Sequence, residues 1–197
     1  MQLTTREAYG AELAPWVDAL AEIRIEVFRE YPYLYDGSVD YERGYLRTYV
    51  DSPRSMAVLV FEGDRLVGAS TCLPLEDEEE AFQRPFRDAG IPVRTVCYLG
   101  ESMLLAPYRG QGFGKLFFRR RERHARSLSG VREAAFCAVD RPAEDPRRPA
   151  DYRPLDDFWR RQGYQRDASL RARFPWKEIG EDEETEKPLT FWRKALV

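Results

Sequence analysis

The residues best able to do chemistry lie in one short turn, Arg109-Gly110-Gln111-Gly112-Phe113-Gly114, and in a carboxylate just upstream, Glu101. Glycines at alternate positions let backbone amides approach a ligand with no Cβ in the way. The pattern predicts a helix after the turn, whose first N–H groups and partial positive charge point at the same spot. Arg109 and Lys115 add full charges. Together these features build a site for a diphosphate. Two commoner phosphate loops are excluded by spacing. A Walker A loop needs glycine five positions before Gly114 and Ser or Thr after Lys115; the chain has Arg109 and Leu116 there. A G-x-G-x-x-G dinucleotide fingerprint needs its third glycine at position 115, which is lysine. The plain alternative is a Gly-rich strand-to-helix connection, a costly way to build one because each glycine loses extra entropy on folding.

The elements that must position this turn can be read from periodicity. The first 50 or so residues read as two helices, carried by Leu20, Ile23, Val27, Phe28 and by Tyr41, Tyr45, Leu46, Tyr49. A loop around Pro32 and Asp36-Gly37-Ser38 separates them. A hairpin follows, with strands at 56–61 and 66–73 and a turn at 62–65. An acidic run, 76–80, leads into a short helix around Phe82 to Phe86. Residues 96–105 read as a strand interrupted at Gly100, where a bulge is expected. The helix after the turn buries Phe113, Leu116, Phe117, Ala125 and Leu128. Residues 134–139 form another strand, 140–154 a loop with four prolines, and 155–163 a short helix capped by Gly163. Two last strands, 169–174 and 189–192, flank the acidic run 181–186. Strands alternating with helices in the middle and paired as hairpins at the ends predict an α/β protein with a mixed sheet.

Here a resemblance enters. Leu105-Ala106-Pro107-Tyr108 followed by the turn 109–114 resembles the acetyl-CoA-binding signature of the GNAT acetyltransferase superfamily, a strand, a Q/R-x-x-G-x-G/A turn and a helix. Phe158-Trp159-Arg160-Arg161-Gln162-Gly163-Tyr164 is similar to that family's late F-Y-x-x-x-G-F helix. The resemblance spans roughly 40–197, most firmly 96–164. It implies a mostly antiparallel six- to seven-stranded sheet, flanked by helices and splayed at the central parallel strands, in a single domain over 1–197. It implies acetyl-CoA as co-substrate, no metal, and transfer of acetyl to a primary amine of a small molecule or peptide by direct attack in a ternary complex. The implied cofactor contacts are Met103, Leu104, Leu105, Arg109, Gly110, Gln111, Gly112, Phe113, Gly114, Lys115 and Phe158.

An alkyl amine with a pKa near 10 is neutral in about one molecule in a thousand at pH 7, so the reaction needs a base. Glu101, beside the expected bulge, is the candidate; the plain alternative is a strand-edge glutamate facing solvent. By resemblance, a backbone N–H near Met103 to Leu105 meets the developing oxyanion. Many family members carry a tyrosine four residues before the late glycine to protonate the departing thiolate. That position is Trp159, which has no acidic O–H. Tyr152 and Tyr164 are the substitutes to test, against ordinary packing roles; unassisted departure is the third possibility. An asparagine often found in this part of the family is not evident. A non-catalytic acyl-CoA sensor is therefore the alternative function.

Composition narrows the class further. The formal net charge is -3, unlike a generic nucleic-acid binder. The run Arg119-Arg120-Arg121-Glu122-Arg123-His124-Ala125-Arg126 accordingly reads as a solvated helix face. His124 is the sole histidine, which excludes a His-rich metal site. Cys72, Cys97 and Cys137 read as buried free thiols. No apolar run approaches the ~18 residues of a spanning helix, and the first residues lack a leader's apolar core, so a cytoplasmic protein without membrane or nucleic-acid partners is expected. A homodimer is left open. The acidic runs read as solubilising loops, or as walls that attract a cationic amine.

Overall fold

The computed structural model describes residues 3–196. Its centre is an eight-stranded sheet built from β1 (Leu3–Tyr9), β2 (Met56–Glu62), β3 (Arg65–Pro74), β4 (Val96–Tyr98), β5 (Ser102–Leu104), β6 (Glu133–Val139), β7 (Gln165–Trp176) and β8 (Thr185–Ala195). The order is β1-β2-β3-β4-β6-β8-β7, with β5 also paired to β3. Every pairing is antiparallel except β4 with β6. The helices are α1 (Val17–Phe28), α2 (Val39–Asp51), α3 (Glu80–Asp88), α4 (Phe113–Ser127) and α5 (Asp156–Arg161). Helix α4 packs on β2, β3 and β6, α1 and α2 pack on each other and on β3, and α3 packs on β7.

The expected mixed sheet is present, with one strand more than the sequence predicts. That strand is β1, in a stretch read as helical. It is an edge strand on which Ala8 alone is fully buried, so no apolar alternation marks it. Hydrophobic β2 and β3, by contrast, are buried almost throughout.

Two departures from regular pairing make the cleft. The first is the splay. Parallel pairing joins Val96–Tyr98 to Glu133–Ala135 and stops. Beyond it β5 stays with β3 while the rest of β6 stays with β8. The second is a bulge at Gly100-Glu101. Thr71 opposes both residues, its carbonyl accepting from the Gly100 amide (3.1 Å) and its amide donating to the Glu101 carbonyl (3.1 Å). Two residues facing one is the signature of a β-bulge, which re-aims a side chain. Gly100 has a packing reason too: a Cβ there would overlap the Tyr49 hydroxyl and crowd Thr71 Oγ1.

Candidate active site

The turn 109–114 lies at one end of the cleft. Gly110 and Gly112 have φ of 79° and 89°, values that cost other residues strain. Gly114 is needed for space: a Cβ there would sit 3.0 Å from the ring of Phe158 on α5. The late helix is thereby seated on the turn. Among the described residues, the amides of 110–114 donate to no acceptor, while Lys115 and Leu116 begin the helix by donating to the Gly112 carbonyl (3.1 and 3.3 Å). Five unspent N–H groups at a helix N-terminus form an anion site. Lys115 is exposed and lines the cleft. Arg109 is tied down instead: its Nε donates to the Leu104 carbonyl (2.8 Å) and its guanidinium grips Glu30 (2.6 and 3.0 Å). It fixes the turn to β5 and to the segment after α1.

The cleft itself, about 1160 Å³, runs from this turn along β5 to the splayed end of β6. The Leu105 amide donates to the Val67 carbonyl (3.0 Å) and the Glu101 carbonyl accepts from Thr71. In an antiparallel ladder alternate residues share a direction, so residues 101, 103 and 105 point their amides at β3. Ser102 and Leu104 point theirs into the cleft. Within the span Met103 to Leu105 expected from sequence, Leu104 is thus the residue whose amide faces the cleft. Met103, Leu104, Arg109, Gly110, Gly112, Phe113, Gly114, Lys115 and Phe158 line the cleft, whereas Leu105 and Gln111 do not.

Glu101 is buried and borders both the cleft and a second, aromatic cavity of about 110 Å³. Its carboxylate pairs with Arg24 on one oxygen and accepts from the Thr71 hydroxyl on the other. Arg24 also pairs with Glu42, and its guanidinium lies 4.1 Å from the Tyr45 ring centre and 5.1 Å from that of Phe28. One arginine thus serves two buried carboxylates. From the other side, Arg121 of α4 donates to the carbonyls of Glu101 (3.1 Å) and Thr71 (3.3 Å) and to Ser102 Oγ (2.8 Å). The arginine-rich helix is therefore not simply a solvated face. Arg121 is 2% exposed and clamps the bulge, while Arg120 and Arg123 pair with Glu7 of β1.

The two tyrosines proposed from sequence fall in different places. Tyr152 lines the cleft on the proline-rich loop, edge-on to Tyr31 at 4.6 Å and under Arg148 at 5.4 Å; burial raises its pKa. Tyr164 is buried away from the cleft, its hydroxyl donating to Glu122 (3.2 Å). Trp159 lines the cleft, 5.1 Å from Phe136 and 5.1 Å from Trp192. All three cysteines are free thiols; Cys72 and Cys97 are buried, and Cys137 is half-buried at the junction of the two cavities. Burial pushes the Cys137 thiol up to about 12, so it holds no thiolate at neutral pH.

Sequence reasoning missed Arg24, Glu42 and Arg121. A signal existed in each case. Arg24 follows Leu20 by four residues and precedes Phe28 by four; Arg121 sits likewise between Phe117 and Ala125; Glu42 precedes Leu46 by four. A charge on the apolar stripe of a helix marks a buried ion.

Residues 17–149 match the Acetyltransferase (GNAT) family, and the chain belongs to it. No curated protein matches the chain in sequence. Solved structures match its fold along its whole length. Arabidopsis thaliana NAA60 in complex with a bisubstrate analogue superposes with a TM-score of 0.62 at 10% identity, covering 100% of both chains. The Salmonella typhimurium putative acetyltransferase yncA, with its cofactor acetyl-CoA, gives 0.58 at 13% identity over 99% of this chain and 94% of that one. Ribosomal-protein-alanine N-acetyltransferase from Brucella melitensis gives 0.59 at 16% identity over 98% and 99%. Among the described residues no helix is long and apolar enough to cross a membrane.

Proposed function

We propose that this acetyltransferase moves an acetyl group from acetyl-CoA to the primary amine of a small molecule or peptide, within one domain spanning 1–197 and by direct attack in a ternary complex. The observation that carries the reading is the row of five unspent amides at 110–114, four of them on residues that line a cleft whose far end is Glu101. The residues fit acetyl-CoA: the amides and Lys115 suit a diphosphate, and the outward amides of Ser102 and Leu104 suit a pantetheine arm laid along β5 as an added strand. When bound, the cofactor supplies an activated thioester carbonyl.

The chain's own residues then have separable tasks. Glu101 holds the proton removed from the ammonium, either directly or through water, in exchange for its bond to Thr71. Arg24 steadies the carboxylate, and Arg121 keeps the bulge that aims it. The Ser102 and Leu104 amides face the position where negative charge develops. Of the two tyrosines weighed from sequence, Tyr152 is the one on the cleft wall to meet the leaving thiolate; Trp159 serves as an apolar wall. Direct attack is supported over a covalent route by Cys137, the thiol at the junction, which is held protonated.

The test is free-thiol release from acetyl-CoA across a panel of amines, alongside a thermal shift with acetyl-CoA alone. A ligand at ~100 times its Kd adds about 2.7 kcal/mol of stability. A stabilising shift with amine-dependent thiol release is expected. A shift without release from any amine would favour the acyl-CoA sensor, the reading that Trp159 keeps open.

A further inference from the structure

The aromatic cavity beside Glu101 carries information about the acceptor. Its walls come from segments far apart in sequence: Tyr45 of α2, Phe82 of α3, Tyr98 of β4, Phe174 and Trp176 of β7, and Phe28 of α1. The rings form a continuous surface. Phe82 stacks on Phe174 at 5.1 Å with an interplanar angle of 25°, and lies 5.2 Å from Tyr98. The charged groups on its wall are Arg24, Glu42 and Glu101, and they are clustered, since Arg24 pairs with both carboxylates. Among the groups that line the cavity, two carboxylates face one guanidinium, an excess of one negative charge on that wall. Glu42 is 0% exposed, and its Oε1 has no hydrogen-bond partner among the described residues. Such an oxygen is costly to bury unless a donor meets it.

We propose that the acceptor is a monocationic primary amine on a flat apolar body about one ring wide, its ammonium at Glu42 Oε1 and Glu101 and its body between the aromatic walls. This deepens the acetyl-transfer reading above and rests on it. An ammonium donates three hydrogen bonds and balances the one unmatched charge. The same rings already hold a cation, since Arg24 lies over Tyr45 and Phe28, and cation–π attraction strengthens as water leaves. A flat ring gains edge and offset contacts with these walls. A polyamine would bring two further charges against rings with no third carboxylate lining the cavity to meet them, and a peptide would bring backbone polar groups; both are penalised by desolvation. Within the acidic run 181–186, Glu181 is already paired with Lys187 at 2.8 Å, and Glu178, just before the run, is paired with Arg141 and Arg147 at 2.5 Å each.

The experiment uses the full chain with acetyl-CoA and three acceptors: 2-phenylethylamine, spermidine and a tetrapeptide with an N-terminal alanine. The expected kcat/KM for 2-phenylethylamine is at least tenfold above the other two. Glu42→Gln and, separately, Phe174→Ala should each raise its KM about tenfold or more, with the acetyl-CoA Kd unchanged. Phe174, at the cavity rim and only half-buried, keeps the test alive if Glu42→Gln fails to fold. Equal or better use of spermidine or the peptide overturns the proposal, as does an unchanged KM in the variants. Should acetyl-CoA bind but no acceptor release thiol, the transfer reading fails separately. Calorimetric titration of the CoA-loaded protein then decides the pocket: 2-phenylethylamine bound at least tenfold tighter than spermidine supports it, and the reverse or no binding overturns it.

Discussion

The two halves of the cleft are built by opposite means. The anion end is one continuous stretch, 109–114, whose donors are backbone amides and which is held from outside by Phe158 lying on Gly114 and by Arg109 gripping Glu30. The Glu101 end is assembled from α1, α2, α3, β4, β6, β7 and β8, and its charged groups are side chains buried against rings. The first binds with groups that any sequence possesses, provided glycine allows the turn. The second depends on charges placed where burial is expensive and each must be matched by another. Local sites of the first kind tolerate change in their surroundings; sites of the second kind transmit it.

That contrast can be broken by substitution. The largest effect is expected at Glu101: Glu101→Gln should lower kcat by about 10²–10⁴-fold, the usual worth of a general base, with the acetyl-CoA Kd nearly intact. Steady-state kinetics together with calorimetry check both halves of the statement, and a loss of cofactor binding would mean that the two ends are not separable.

Next comes the burial cost itself. Burial raises the Glu78 carboxyl, which lies close behind Tyr49, to about 8. Between the ordinary carboxylate range and pH 8 the folded protein therefore holds a proton that the unfolded chain has released. Stability must fall as pH rises through that window and level off above it. Glu78→Gln should flatten the profile and gain on the order of a few kcal/mol at pH 8, read by urea denaturation at pH 5, 6.5 and 8.

A smaller change is expected at the anion end. Gly112→Val places a branched residue at φ 89°, costing roughly 1–2 kcal/mol. The acetyl-CoA Kd should rise about tenfold while the pH profile of kcat keeps its shape. Smallest of all, Tyr152→Phe should slow turnover by less than about tenfold, and Tyr164→Phe should change stability rather than rate. Equal rate losses in both would remove the distinction drawn from their positions.

The same contrast governs what could be read from the sequence. The turn, its helix, the bulge at Gly100 and the cap at Gly163 were legible because each is a local demand on backbone geometry. Glu101 was legible through its place beside Gly100. Arg24, Glu42 and Arg121 were not, since their meaning appears only when distant elements meet. Arg121 was read with its neighbours as part of a charged helix face, although its spacing from Phe117 and Ala125 set it apart. The aromatic cavity was unreadable for a similar reason: its rings looked like ordinary core residues of five different elements. Strand β1 was missed because an exposed edge strand has little apolar alternation to display.

Helix α4 joins the two ends. Its first turn presents the amides of Phe113 and Gly114, and Arg121, eight residues on, grips the Glu101 carbonyl. At 1.5 Å per residue it acts as a rigid ruler of about 12 Å between the anchored anion and the bulge. A single-residue deletion between 114 and 120 would shorten that ruler and swing Arg121 about 100° away, mis-registering the thioester against the base while leaving each end chemically whole.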